Sequence, residues 1–228
     1  MDDETRIPGP TETMRDLGSL PAMMSQAMDY GAFKAREYFE REGKAPGDDL
    51  SLAGHLARFH AKDYLRAHGQ FVVEERDVEA EDQVDLQSVP NTGLFLSRGR
   101  FQIRILHAQN GRIPAPGASL SRQAYYQQLQ ESFQFPEDEV DPSAPKPVSL
   151  ILYWDTTAPY DLSLLRLACP QYGEKTQASV KVWWDERLAL IAHTPLAASP
   201  QAAADDDLDM QLVDEQATPS VPGEDDDD

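Results

Sequence analysis

Between Asp85 and Glu131 the chain has no Asp or Glu, although it holds 40 of them in all. The same window carries Arg98, Arg100, Arg104, Arg112 and Arg122, together with His107. A guanidinium presents a fixed fork of donors that matches two oxygens of a carboxylate or phosphate at once. Phe95, Phe101, Tyr125 and Tyr126 stand in the same window and are residue types on which bases stack. The five arginines with Tyr125 and Tyr126 are therefore the candidate anion- or partner-binding set. The plainer alternative is that the arginines pair with acids elsewhere, in the acid-rich run from Glu74 to Asp85 or at the C-terminus.

The C-terminus carries the opposite charge. Residues 201–228 hold eleven acids and no Lys or Arg, in a chain of net charge −20. Asp205, Asp206 and Asp207 precede Leu208, and Met210 and Leu212 follow among further carboxylates. Apolar residues set among acids can dock in a partner's groove as a short helix or strand. These six are the tail's candidate partner-binding residues. A polyanion of this kind can bind a basic partner, imitate the charge of DNA, or fold back on the chain's own arginines and compete with a ligand. The plainer reading is a solubilising tail with no specific partner.

Catalytic patterns are thin. Asp155, Asp161 and Asp185 stand at strand ends, where carboxylates can meet and hold Mg²⁺ for phosphoryl chemistry. The nuclease pattern of an Asp followed one strand later by Glu-x-Lys is absent, and Asp is favoured in turns for local reasons. His55 and His60 are five apart and do not share a helix face, although His60 and Asp63 do. Cys169 has no activating base near it in sequence and reads as a buried structural thiol. Gly-x-Gly-x-x-Gly, Gly-Lys-Ser/Thr, Gly-x-Ser-x-Gly, His-Glu-x-x-His and Cys-x-x-Cys are all missing. The sequence points away from an enzyme, and to no metal and no cofactor.

These residues need elements to hold them. Residues 1–18 are polar, include Pro8-Gly9-Pro10 and read as a flexible lead. Ser19 as cap and Pro21 in the first turn start a helix over 20–42, with Met24, Ala27, Met28, Gly31, Ala35, Tyr38 and Phe39 as its apolar stripe and Gly43 as its stop. Asp48 or Asp49 caps a second helix over 50–68, with Leu52, Leu56 and Phe59 marking its apolar face, joined by Ala53 and Tyr64. The period then becomes that of strands, predicted over 71–74, 84–89, 94–97, 100–107, 148–154, 162–168 and 179–184. A third helix is predicted over 119–132, and Val148–Trp154 reads as a central strand buried on both faces.

The expected fold is α+β: two N-terminal helices packed on a mostly antiparallel sheet of five to seven strands, with one inserted helix. The domain would span 19–195, followed by a disordered acidic tail over 196–228. No apolar run approaches the ~18 residues of a membrane span. The opening Met1-Asp2-Asp3-Glu4 is not a secretory signal, and a single cysteine makes no internal disulfide. The expected setting is intracellular, cytoplasmic before nuclear, with no membrane. The leading functional expectation is a non-catalytic interaction or regulatory module that binds a protein partner through the tail, the arginine-bearing face, or both. The alternatives are a nucleic-acid-associated protein, either a tail-gated polyanion binder or a DNA-mimic inhibitor, and a metal-dependent hydrolase using the strand-end aspartates.

Overall fold

The computed structural model describes residues 6–68, 84–89, 93–128 and 146–195, with the backbone alone for 84–89 and 93. The described chain is α+β. Four α-helices, α1 (Pro10–Leu17), α2 (Leu20–Arg41), α3 (Leu50–His68) and α4 (Leu120–Tyr126), accompany six strands. The strands are β1 (Val84–Val89), β2 (Gly93–Arg98), β3 (Phe101–His107), β4 (Val148–Thr157), β5 (Asp161–Tyr172) and β6 (Lys181–Arg187). They lie in chain order in one sheet. Every pair is antiparallel except β3 with β4. A parallel pair needs a long crossover, and the crossover between β3 and β4 carries α4.

Register divides the sheet into two faces. Leu94 or Leu96, then Ile105 or Ile103, Leu152 or Leu150, and Leu167 follow one another across the strands on one face. Helices α1, α2 and α3 lie on that side: Arg98 of this face bonds the end of α1, and the Trp184 indole donates to the Pro8 carbonyl at 2.9 Å. The opposite face has Phe95, Ile151, Tyr153 and Ala168 packed with Tyr125 and Tyr126 of α4. Strand β4 serves both layers. Leu150, Ile151, Leu152 and Trp154 are all at 0% exposure, which makes it the central strand the apolar run implied. Each such side chain contributes about 1.5–3 kcal/mol by leaving water.

Helix α2 occupies the predicted span and buries Met24, Ala27, Met28, Gly31, Ala35 and Phe39. Ser19 makes no side-chain cap; only its carbonyl enters the helix, accepting from Met23 N–H at 3.1 Å. Asp49 is the working cap of α3, accepting from Leu52 N–H at 2.9 Å, while Asp48 accepts from Ala45 N–H.

Several expectations need correction. Residues 10–17 form helix α1 rather than part of a flexible lead. Its Thr13 and Leu17 are fully buried, because a turn of helix brings both onto the domain. Helix α3 is turned from the face predicted: Ala53 and Tyr64 of that face are buried, with Ala57, Ala61 and Leu65, while Leu52 and Phe59 are 38% and 58% exposed. The cause is a close helix crossing. A Cβ on Gly31 of α2 would lie 2.1 Å from the Ala57 carbonyl oxygen, so only small residues fit between α2 and α3. Larger side chains are turned outward. The third helix ends at Tyr126, short of residue 132. Gln127 and Gln128 form a turn, with Gln128 at φ +57°. The strand predicted over 71–74 lies outside the described residues.

Two devices have no counterpart in the hydrophobic pattern. The Gln128 amide acts as a substitute peptide group between β4 and β5: its Oε1 accepts from Ser149 N–H at 2.7 Å, and its Nε2 donates to the carbonyls of Ser149 and Pro170, both at 2.9 Å. Pro170 has no N–H to offer that edge of the ladder. Beyond β6, residues 188–194 run along the helices as a strap. Ile191 N–H donates to Ser25 Oγ at 2.8 Å, His193 donates from its backbone N–H and from Nδ1 to Asp29 Oδ2, and Thr194 N–H donates to the Tyr64 hydroxyl. Contacts divide the chain at Pro195–Leu196, and residues 196–228 lie outside the described part.

Candidate functional site

The five arginines of the acid-free window do not form one face. Arg98 projects to the helical side, where its Nη1 donates to the Leu17 carbonyl at 2.6 Å. A helix C-terminus offers unsatisfied carbonyls and the negative end of its dipole, so this cation closes α1. Gly18, at φ +54°, passes directly over the guanidinium; a Cβ there would touch it at 3.4 Å. Arg100 lies 4.0 Å from Glu12 of α1 and over the Phe101 ring. Both belong to the anchoring of α1.

Arg104 faces the other way. It is 3% exposed, and its guanidinium sits 4.9 Å from the centre of the Phe95 ring. Burial, then the charge of Arg122, lowers its pKa to about 10; Tyr125 and Tyr126 pull it up and Arg58 pushes it further down. The pKa of Arg58 of α3 is itself lowered, first by burial, with Arg122 adding to the effect and Tyr160 opposing it. Three guanidinium groups from α3, β3 and α4 thus act on one another. Arg122 is placed by the Ser119 cap of α4, whose hydroxyl accepts from Arg122 N–H. Arg112 is exposed on the Asn110-Gly111 turn, where both residues take positive φ and Gln109 bridges to Arg112. Among the described residues, neither Arg112 nor Arg122 forms an ion pair.

Next to Arg58 lies Tyr160, 4% exposed, whose hydroxyl has no hydrogen-bond partner. Burial raises its pKa to about 12 against the pull of Arg58. Its ring meets Trp154 edge-on at 6.4 Å, and Trp154 meets His107 at 4.6 Å. Sequence reading missed Arg58 and Tyr160 because both lie outside the acid-free window. The available signal was in α3, which holds Arg58, Lys62 and Arg66 against Asp63 alone.

The aromatic part of the candidate set is not open to a ligand. Tyr125 and Tyr126 are at 0% exposure, with Phe95 at 6% and Phe101 at 4%. The Tyr125 hydroxyl lies 2.6 and 2.7 Å from the carbonyls of Gln102 and Leu150, and the Tyr126 hydroxyl donates to the Pro114 carbonyl. Burial drives both phenol pKa values well up. These two tyrosines fasten α4 and its approach loop to the sheet; stacking on bases would require opening the core.

The strand-end aspartates are not brought together. Asp161 pairs with Arg36 of α2. Asp185 accepts from the Tyr153 hydroxyl at 2.6 Å and from Arg166 Nε at 2.8 Å, in line with Ala168 and Ile151. Asp155 is four residues further along β4, about 13 Å away at strand rise; its Oδ1 accepts from Thr156 N–H and lies 3.8 Å from His107 Nε2. Among the described residues no three His, Cys, Asp or Glu side chains form a group able to hold a metal ion. Cys169 is fully buried, and burial pushes its thiol pKa up to about 12, the opposite of activation. Asp205, Asp206, Asp207, Leu208, Met210 and Leu212 lie outside the described residues. No described helix is long and apolar enough to cross a membrane.

What this geometry can do is hold oxygens. Guanidinium groups suit a carboxylate or phosphate. Comparison with known proteins finds no matching family model, no matching curated protein and no matching solved structure.

Proposed function

We propose that the chain is a non-catalytic interaction module whose Arg112- and Arg122-bearing surface takes a carboxylate- or phosphate-bearing segment of a protein partner. The carrying observation is that the link between β3 and β4 displays two cations, Arg112 exposed on its turn and Arg122 part-exposed in the first turn of α4, and that neither forms an ion pair among the described residues. In this reading the acidic tail, through Leu208, Met210 and Leu212 among its aspartates, is a second contact toward a basic partner surface. The burial of Tyr125 and Tyr126 favours a protein partner over nucleic acid, since base stacking contributes about 1–3 kcal/mol per base where aromatics are open.

The test is titration of the full chain with a fluorescein-labelled oligoglutamate peptide, and separately with a single-stranded oligonucleotide, at low and moderate salt. The expected result is saturable peptide binding that weakens about tenfold on Arg112→Glu with Arg122→Glu, the loss of one or two charge-assisted contacts. Tight oligonucleotide binding with a steep salt slope would instead move the chain to the nucleic-acid class. Binding of neither probe would remove the basis of the proposal.

A further inference from the structure

Helix α3 has a second surface, independent of the Arg104–Arg122 group. Its inner side is committed to α2 through Ala53, Ala57 and Ala61. Its outer side carries Leu52, Leu56 and Phe59 at spacings of four and three, so these three form one stripe along the helix. Leu52 is 38% and Phe59 58% exposed, which is unusual for large apolar side chains in a stripe. Lys62 and Arg66, four apart, continue alongside them, and neither forms an ion pair among the described residues. Asp63, four residues after Phe59, is the one acid of the helix and lies on this stripe, so the face carries Lys62 and Arg66 against a single carboxylate. A local basic and apolar face is thus displayed by a chain of net charge −20.

We propose that this outer face of α3 is a docking surface for an acidic amphipathic helix of a separate protein partner. Charge complementarity selects that occupant. A second copy docked in parallel through the same stripe would set Lys62 and Arg66 against their own counterparts, a like-charge arrangement. From Leu52 to Arg66 the face extends about 21 Å at helical rise, so a partner helix of about fourteen residues matches it. Its apolar residues at i, i+4 and i+7 would cover Leu52, Leu56 and Phe59, and its carboxylates would meet Lys62 and Arg66.

The experiment is fluorescence anisotropy of a labelled fourteen-residue peptide of Glu, Ala and Leu, with leucines at helical spacing, titrated with the full chain. The expected result is saturable binding that falls about tenfold for Lys62→Glu with Arg66→Glu, and falls again for Phe59→Ser. These are surface positions, and unchanged thermal unfolding of the variants confirms that the fold is intact. Replacing the peptide's leucines by serine at constant charge should abolish binding. Arg122→Glu should leave it unchanged, which separates this surface from the one proposed above. No saturation, or equal affinity for the α3 variants, would overturn the proposal. So would binding of anionic phosphatidylserine vesicles in place of the peptide, or dimerisation lost on Phe59→Ser. Peptide binding seen only after Leu208→Ser, Met210→Ser and Leu212→Ser would show that the chain covers this face itself, and would overturn the assignment to a separate partner.

Discussion

Replacing Gly31 with alanine should destabilise the protein, although the change raises helix propensity. Isolated from tertiary structure, Gly→Ala within a helix stabilises by about 1 kcal/mol. In the folded chain the new methyl would stand 2.1 Å from the Ala57 carbonyl oxygen, 2.9 Å from its carbon and 3.2 Å from Ala61 Cβ. Two of these atoms are backbone and cannot rotate away. An ordinary carbon–oxygen contact is about 3.3 Å, so α2 and α3 would have to part by about 1 Å. That separation loosens the buried contacts of Ala27, Ala35, Ala53 and Ala61 along the crossing. Overpacking of this kind costs about 1–3 kcal/mol and more where backbone must shift. We place the net loss near 2 kcal/mol after the propensity gain, a fall in Tm of about 4–8 °C for a chain of this size. Gly54→Ala is the internal control. It lies in the facing helix with nothing within 4 Å of its Cβ, and should gain up to about 1 kcal/mol. Thermal and urea unfolding followed by far-UV circular dichroism would measure both. A Gly31→Ala protein as stable as the parent would refute the close-crossing argument, and with it the reason α3 turns its large residues outward.

Gln128→Ala removes the amide that satisfies Ser149 N–H and two carbonyls and leaves a side chain at φ +57°; we expect a loss of about 2–4 kcal/mol in urea unfolding. Alkaline pH should also destabilise the fold. Burial raises the Cys169 pKa from 9.0 and the Tyr160 pKa from 10.0, each to about 12, so the folded state keeps protons that the unfolded state sheds first. The stability they provide is fully present below pH 9 and is lost between pH 9 and 12 for Cys169 and between pH 10 and 12 for Tyr160. The urea midpoint in reductant should fall from pH 8 to pH 10.5, by less in Cys169→Ala; a flat profile would contradict the burial of both groups.

The sheet was legible because its strands carry their burial in their own residues. Phe101, Ile103 and Ile105 alternate, and Val148–Trp154 is near-continuously apolar, so the inward residues of β3 and the centrality of β4 follow from side-chain period. Helix α3 was legible as a helix but not in orientation. Hydrophobicity nominates Leu52 and Phe59 for the core, whereas the crossing at Gly31 admits only Ala53, Ala57 and Ala61, and steric closeness between distant segments leaves no periodic trace. Helix α1 was hidden by its polarity; it is held by Arg98 and by Leu17, contacts made across most of the domain. The candidate site was half legible for the same reason. The acid-free window identified Arg104 and Arg122 as cations, but alternation in β2 and β3 sends Arg98 and Arg104 to opposite faces, and the third member, Arg58, arrives from α3.

The central claim is that Arg112 and Arg122 belong to one anion-receiving surface. Nitrogen–proton correlation spectra of the full-length chain, titrated with the oligoglutamate peptide, test it residue by residue. The account predicts saturable shifts at Arg122 and at the turn carrying Arg112, and their loss in Arg122→Glu. Shifts confined to other surfaces, or shifts at these residues that persist unchanged in Arg122→Glu, would contradict it.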